Sequence, residues 1–316
     1  MLRTPAVILA VIAATAILAC AAASASLFVS SASSAALQLS MRQFCNSSSL
    51  PQIAGVRNFN ILPDGRYLTP EQNAAIISKV AGPDYRSVDQ INQLTTAMVS
   101  AGLAAPLTTA QSGIQFADYP QLQGALLYKS DALNHVDIIE KANVQGIYLP
   151  DDLAAILGAH AGSPITRTSS PPIMVAGIYK SIARAPVSPF WCQDRQIFKL
   201  NPGSDKAPPY LILATNLDLL SDRSDPGDLG PTFYLTSPVN ISSSALSDAH
   251  KWQAKLRIAI DSVSASKYPF NGITAGGDLN DTIRDVSLIR RGLIGPIAPI
   301  AIGGSLLALF LVAAAG

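Results

Sequence analysis

The sequence predicts an α+β protein in which a mixed-sheet extracytoplasmic domain stands on helical stalks between two transmembrane helices. Two observations lead to this fold class. Uncharged apolar stretches at 5–29 and 293–315 lie near the ends of the 316-residue chain, and each is long enough to cross a hydrocarbon core of about 30 Å. Residues 30–292 carry nearly all of the charge and combine helix-like with strand-like patterns. We therefore expect a multi-pass protein of the cell membrane.

The segment between the two apolar stretches is predicted to lie outside the cytoplasm. Arg3 precedes the first stretch, which favours a cytoplasmic N-terminus, whereas Arg284, Arg290 and Arg291 precede the second stretch on the outer side. Because long domains translocate largely regardless of charge, these three arginines do not overturn the prediction. No Lys or Arg follows the second stretch, which predicts that the chain stops inside or just after its second helix.

Cysteine usage fits an oxidising compartment. Cys45 and Cys192 both fall in the middle segment, and we expect them to form a structural disulfide; two unrelated thiols are the alternative. Cys20, preceded by residues 17–19, loosely matches a bacterial lipoprotein cleavage site. The sequence stays apolar through Val29, however, where a lipoprotein would turn polar. We therefore predict a retained membrane helix.

The segments next to the two apolar stretches are predicted to form helical stalks. Residues 30–41 are small and compatible with a helix, so the first membrane helix is predicted to continue outward. Before the second stretch, apolar residues recur at helical spacing, namely Leu279, Ile283, Val286 and Ile289. Small or apolar helix faces need a partner to cover them, and we expect the two stalks to pack side by side.

Two helices are predicted within the domain itself. The motif TPEQ at 69–72 provides an N-cap and a Pro at the first helical position, ahead of a short helix. A second helix is predicted to begin at Ser87 and to end at Gly102. Its apolar stripe consists of Ile91, Leu94, Met98 and Val99.

From about Gly124 the sequence contains short runs rich in Ile, Leu, Val and Tyr, which predict the strands of a mixed sheet. The runs are 125–128, 144–149, 173–179, 210–214 and 233–236. Residues 251–260 alternate apolar and polar side chains with a period of two, beginning with Lys251 and Trp252. We therefore predict a half-buried strand at 251–260.

The sequence predicts no catalytic, cofactor or metal site. His135, His160 and His250 lack the spacing of zinc ligands and are expected to be polar or partly buried side chains. The acidic cluster at 222–228 lacks the spacing of an EF-hand and is expected to be a solvated turn. Because neither a G-x-S-x-G nor a P-loop motif occurs, we do not expect an enzyme. A net charge of +1 without a basic run argues against nucleic acid as a partner.

One region resembles a known family. Residues 146–158 (GIYLPDDLAAILG) predict a strand and a short helix, in which Asp151 and Asp152 favour the helix N-terminus and the final Gly ends the helix. The segment AGSPI at 161–165 and a strand at 173–179 follow. This order is similar to the extracytoplasmic core of the FtsX/MacB-like ABC transporter permeases. The chain has Gly and Ser at the turn where the family commonly has an acidic residue.

The two ends resemble the same family. Residues 2–37 look like its first membrane helix with an outward extension, and 279–315 look like the return into its second helix. The resemblance implies the N-terminal portion of a permease, the membrane subunit of an ABC-type transporter or mechanotransmission complex. It also implies a cytoplasmic ABC ATPase subunit as partner, a permease dimer in the lipid bilayer, and movement of the outer domain driven by ATP hydrolysis. A membrane-anchored extracytoplasmic binding or scaffold protein without transport activity is the alternative.

Overall fold

The computed structural model combines helices with one large mixed β-sheet, so the α+β class with a mixed sheet is confirmed. The structure describes residues 12–13, 16, 24, 27–41, 50–55, 71–72, 75, 87–168, 171–186, 188–199, 207–220, 232–264, 273–275 and 279–292.

None of the described helices combines the length and the apolarity that are needed to cross a bilayer. The predicted spans 5–29 and 293–315 lie outside the described residues, apart from 12–13, 16, 24 and 27–29. The two membrane helices and the domain bounds that follow from them therefore stay predictions.

Within the described residues the sheet has ten strands. They are β1 (Gln52–Gly55), β2 (Leu107–Phe116), β3 (Tyr119–Lys129), β4 (Ile138–Lys141), β5 (Ile147–Pro150), β6 (Pro164–Ile165), β7 (Ile173–Tyr179), β8 (Tyr210–Ala214), β9 (Thr232–Thr236) and β10 (Ile273–Ala275). Their order is β10-β1-β9-β2-β3-β8-β5-β7-β4, and β6 pairs with β7 outside this row. The pairs β3–β8 and β5–β7 are parallel and the others antiparallel, which makes the sheet mixed.

The strands predicted from apolar runs are present. The runs 173–179 and 210–214 form β7 and β8 at the predicted bounds, and the run at 144–149 forms β5 only from Ile147. These three strands are almost wholly buried, as their continuous apolar sequences indicate. Strand β2 was not predicted, because its buried positions alternate with polar residues and include the small side chains of Ala110 and Ser112.

The described helices are α1 (27–41), α2 (Ser87–Ser100), α3 (Asp151–Leu157), α4 (Arg195–Phe198), α5 (Leu246–Ser264) and α6 (279–292). Helix α2 confirms the helix predicted from Ser87. Its last residue is Ser100, and Gly102 follows it in the left-handed region with a φ of 81°. The helix predicted after 69–72 lies outside the described residues except at 71–72 and 75.

The prediction of a half-buried strand at 251–260 is wrong, because these residues belong to helix α5. The buried positions of α5 recur at helical spacing, namely Leu246, Ala249, Leu256, Ala259 and Val263. Ile258, which the alternating pattern placed on a buried face, is exposed. The period of two arose from a window too short to include the apolar residues on either side.

The described fold consists of two compact units. The stalk unit comprises 1–43, 240–250 and 280–316, and the sheet unit comprises 44–239 and 251–279. All ten described strands belong to the sheet unit, whereas the residues adjoining both apolar stretches belong to the stalk unit.

Candidate functional site

Helix α1 of the stalk unit buries a narrow stripe along its length. The stripe repeats every four residues and consists of Val29, Ser33, Leu37 and Met41. Positions that flank the stripe carry small residues, such as Ala32 and Ala36, which are half-buried. A helix with small residues beside its contact stripe can approach a neighbouring helix closely, which supports the predicted packing role of this segment.

Helix α6 buries one face over its first two turns and none over its last. Thr282, Ile283 and Val286 are buried, whereas Ile289 is half exposed. Arg290 follows Val286 by four residues on the same face and is also exposed. The last buried residue of the described helix is therefore Val286, its eighth residue, which precedes the second apolar stretch.

The stalk unit also contains the segment 240–250, which is joined to α1 by a hydrogen bond. The side-chain amide of Gln38 donates to the carbonyl of Ser244 over 3.1 Å. Asn240 accepts a hydrogen bond from the backbone N–H of Ser242, and Asp248 accepts one from the backbone N–H of Ala245. These two contacts satisfy donors at the starts of a short turn and of α5, and they hold the Ser244 carbonyl in place.

A second polar arrangement lies in the sheet unit, where Lys129 and Asp194 form a buried ion pair. The Lys129 Nζ lies 2.5 Å from an Asp194 carboxylate oxygen, and the two side chains are 11% and 3% exposed. The same Nζ donates to the carbonyl of Phe190 over 2.7 Å and lies 4.4 Å from the centre of the Phe190 ring. The pair attaches residues 188–199 to the end of β3.

Aromatic contacts support this ion pair. The ring of His135 stacks on Phe190 with 3.7 Å between their centres, and Phe190 meets Trp191 edge to face. The indole N–H of Trp191 donates to the carbonyl of His135 over 3.0 Å, so the buried indole keeps a partner. Trp191 and Phe198 belong to the core formed with β5, β7 and β8.

Burial and charge act in opposite directions on Asp194. Burial raises the pKa of this carboxyl above its ordinary value, while the charge of Lys129 and its hydrogen bond lower it. The net result is a raised pKa. Burial also raises the pKa of the Tyr179 hydroxyl well above its ordinary value, with the nearby Asp152 and Asp151 adding to the effect. That hydroxyl donates to the carbonyl of Leu211, so its role is structural.

Of the two cysteines in the predicted disulfide, the structure describes only Cys192. Cys192 is disulfide-bonded and lies between Trp191 and the buried Asp194. Cys45 and Cys20 both lie outside the described residues, so the pairing of Cys45 with Cys192 stays a prediction.

The histidines are separated in the described structure. The Nε2 atom of His135 lies 3.5 Å from a carboxylate oxygen of Asp131, and the Nδ1 atom of His160 lies 3.7 Å from a carboxylate oxygen of Glu140. His250 is exposed near the start of α5. Over the part of the chain that the structure describes, no three His, Cys, Asp or Glu side chains are grouped as metal ligands. The acidic cluster at 222–228 lies outside that part.

The segment that carries the family resemblance forms the predicted elements. Strand β5 leads into α3, which ends at Gly158 with a φ of 62°, and β7 then pairs in parallel with β5. A side chain at Gly146 would overlap the backbone carbonyl of Met174 on β7, so glycine is required there by close approach. At the turn, Gly162 has a φ of 93°, a conformation that an acidic residue would adopt only with strain.

No protein-family model matches the chain, and no curated protein matches it. Among solved structures, it is similar to a domain of a "putative permease protein" from Porphyromonas gingivalis. The identity is 11%, the TM-score is 0.34, and the alignment covers 74% of this chain and 89% of that domain.

Proposed function

We propose that this chain is the membrane subunit of an ABC-type transporter or mechanotransmission complex, in which a cytoplasmic ATPase moves the extracytoplasmic domain through the two stalks. One observation carries the proposal. The residues that adjoin the two apolar stretches, 27–41 and 280–292, belong to one compact unit that is separate from the sheet unit. A movement of either membrane segment would therefore be transmitted first to this unit.

The buried stripes of the stalks support the same proposal. The buried faces of α1 and α6 are mainly apolar, and Gln38 of α1 donates a hydrogen bond to the Ser244 carbonyl of segment 240–250. Helices whose buried faces are mainly apolar can slide or rotate against their neighbours, and such movements are common in switching proteins. The resemblance of 146–158 and 173–179 to the permease family is the sequence support.

The proposal is tested by restraining the stalks. Ala36 is half-buried beside the α1 stripe and Val286 is buried on α6. We expect Ala36→Cys with Val286→Cys to form a crosslink under mild oxidation, and its yield to change when a non-hydrolysable ATP analogue is bound to the complex. The native Cys192 is kept, because removing its disulfide would cost about 2–5 kcal/mol of stability. Ala35→Cys with Val286→Cys is the matched control, since Ala35 is exposed.

The measured activity is ATP hydrolysis by the complex that the complete gene product forms with its ATPase. Loss of ATP hydrolysis on crosslinking and its return on reduction are the expected results. Full activity in the crosslinked complex would refute mechanical coupling and leave the static binding or scaffold protein standing. Purification of the complete gene product without any ATPase would refute the ABC assignment itself.

A further inference from the structure

Four large apolar side chains are exposed on α1 and α6 where these helices meet the two apolar stretches. On α6, Leu288 and Ile289 are 56% and 50% exposed, and they are followed within four residues by the uncharged stretch that begins at Leu293. On α1, Leu27 and Phe28 are 70% and 61% exposed at the outer end of the stretch 5–29. In water such side chains carry an unfavourable free energy, which burial in an apolar phase removes.

Two cations follow the apolar pair on α6. Arg290 and Arg291 are both exposed, and neither forms an ion pair with any residue in the described ranges. Arg284, two turns earlier on the same helix, is paired with Asp281 and Asp285. The guanidinium groups of Arg290 and Arg291 are therefore available to an anion, and a planar guanidinium fits the paired oxygens of a phosphate.

We propose that Leu27, Phe28, Leu288, Ile289, Arg290 and Arg291 form a juxtamembrane patch that binds anionic phospholipid. The inference rests on the proposed function, because it requires the two apolar stretches to enter a bilayer. Apolar side chains beside such a stretch lie at the acyl boundary, while arginine side chains extend to the headgroup phosphates. An anionic headgroup carries a net negative charge that attracts the two arginines, whereas a zwitterionic headgroup has no net charge and attracts them less strongly.

The patch also accounts for the arginines that oppose the usual charge bias. Cations before the second apolar stretch lie on the outer side in the predicted orientation, where the bias disfavours them. Binding to an anionic surface explains the apolar pair and the two arginines together.

The test uses the complete chain in nanodiscs of equal parts phosphatidylcholine and phosphatidylglycerol. A photoreactive benzoylphenylalanine replaces Ile289, and mass spectrometry identifies the lipid that it captures. We expect phosphatidylglycerol adducts in excess over phosphatidylcholine adducts. The same replacement at Asp281, about 12 Å further from the stretch along the helix, should capture little lipid.

Charge removal provides the discriminating step. Arg290→Gln with Arg291→Gln should lower the preference for phosphatidylglycerol by about fivefold for each arginine. Arg284→Gln is the matched control and should leave the preference unchanged. Three results would overturn the patch alone, provided that the chain enters the discs. They are no lipid adduct at position 289, no preference for phosphatidylglycerol, or an equal loss of that preference in the double variant and in Arg284→Gln. A chain that does not enter the discs overturns both the patch and the proposed membrane function.

Discussion

Replacing Lys129 by Met should destabilise the sheet unit by about 3–5 kcal/mol at neutral pH, which is the cost of leaving one partner of a buried ion pair without the other. Solvent screens this ion pair only weakly, because the Lys129 and Asp194 side chains are 11% and 3% exposed. The substitution also leaves the carbonyl of Phe190 without the Nζ donor that lies 2.7 Å away. Met keeps most of the apolar volume of the lysine side chain, so loss of packing contributes little.

The pH dependence of this loss has a definite sign. Burial raises the pKa of Asp194, so the folded chain holds its proton more strongly than the unfolded chain does. The free energy of unfolding therefore falls as the pH rises from the ordinary carboxyl range through that raised pKa. Lys129 opposes the shift, and without it the pKa rises further. The destabilisation of Lys129→Met should thus be largest at neutral pH and should shrink on acidification.

Urea unfolding of the detergent-solubilised chain, followed by tryptophan fluorescence, measures this effect, because Trp191 is buried beside the pair. Lys255→Met is the matched control: its Nζ donates to the carbonyl of Gly102 over 2.7 Å at the surface, and its loss should cost less than about 1 kcal/mol. Adding Asp194→Asn to Lys129→Met should restore most of the stability, because no buried charge remains. Equal stability of Lys129→Met and the native chain, or a loss that does not change with pH, would refute the reasoning.

Two further predictions concern local geometry and the disulfide. Gly146→Ala should destabilise the protein by about 1–3 kcal/mol in thermal unfolding, since its methyl group would meet the fixed backbone carbonyl of Met174. Gly113→Ala is the control, with no heavy atom within 4 Å of the added carbon, and a comparable loss there would contradict the account. Mass mapping without reductant should find Cys45 joined to Cys192, and recovery of a free thiol at Cys45 would exclude that pairing.

The sequence predicted those parts of the fold whose signal is local. Strands β7 and β8 are continuous apolar runs bounded by proline or polar residues, so their limits follow from a few neighbouring residues. Helix α2 has an apolar stripe and a terminal Gly102, and α3 ends at Gly158; each glycine occupies the left-handed conformation that its position predicts. In the stalk unit, the helical character of α1 and α6 was predicted for the same reason.

Tertiary structure decided the remainder. Residues 251–260 satisfy a strand pattern locally, and only burial of Leu256, Ala259 and Val263 on one helical face selects the helix. The pairing of Lys129 with Asp194 joins residues 65 positions apart. A lysine at the end of an apolar run predicts that an acidic side chain pairs with it, but the sequence does not identify that side chain. Contacts between distant segments determine the order of the strands, the choice of ion-pair partners and the point on α6 where burial ends. The periodicity of a sequence reflects only residues that are near one another in the chain, so it does not predict those contacts.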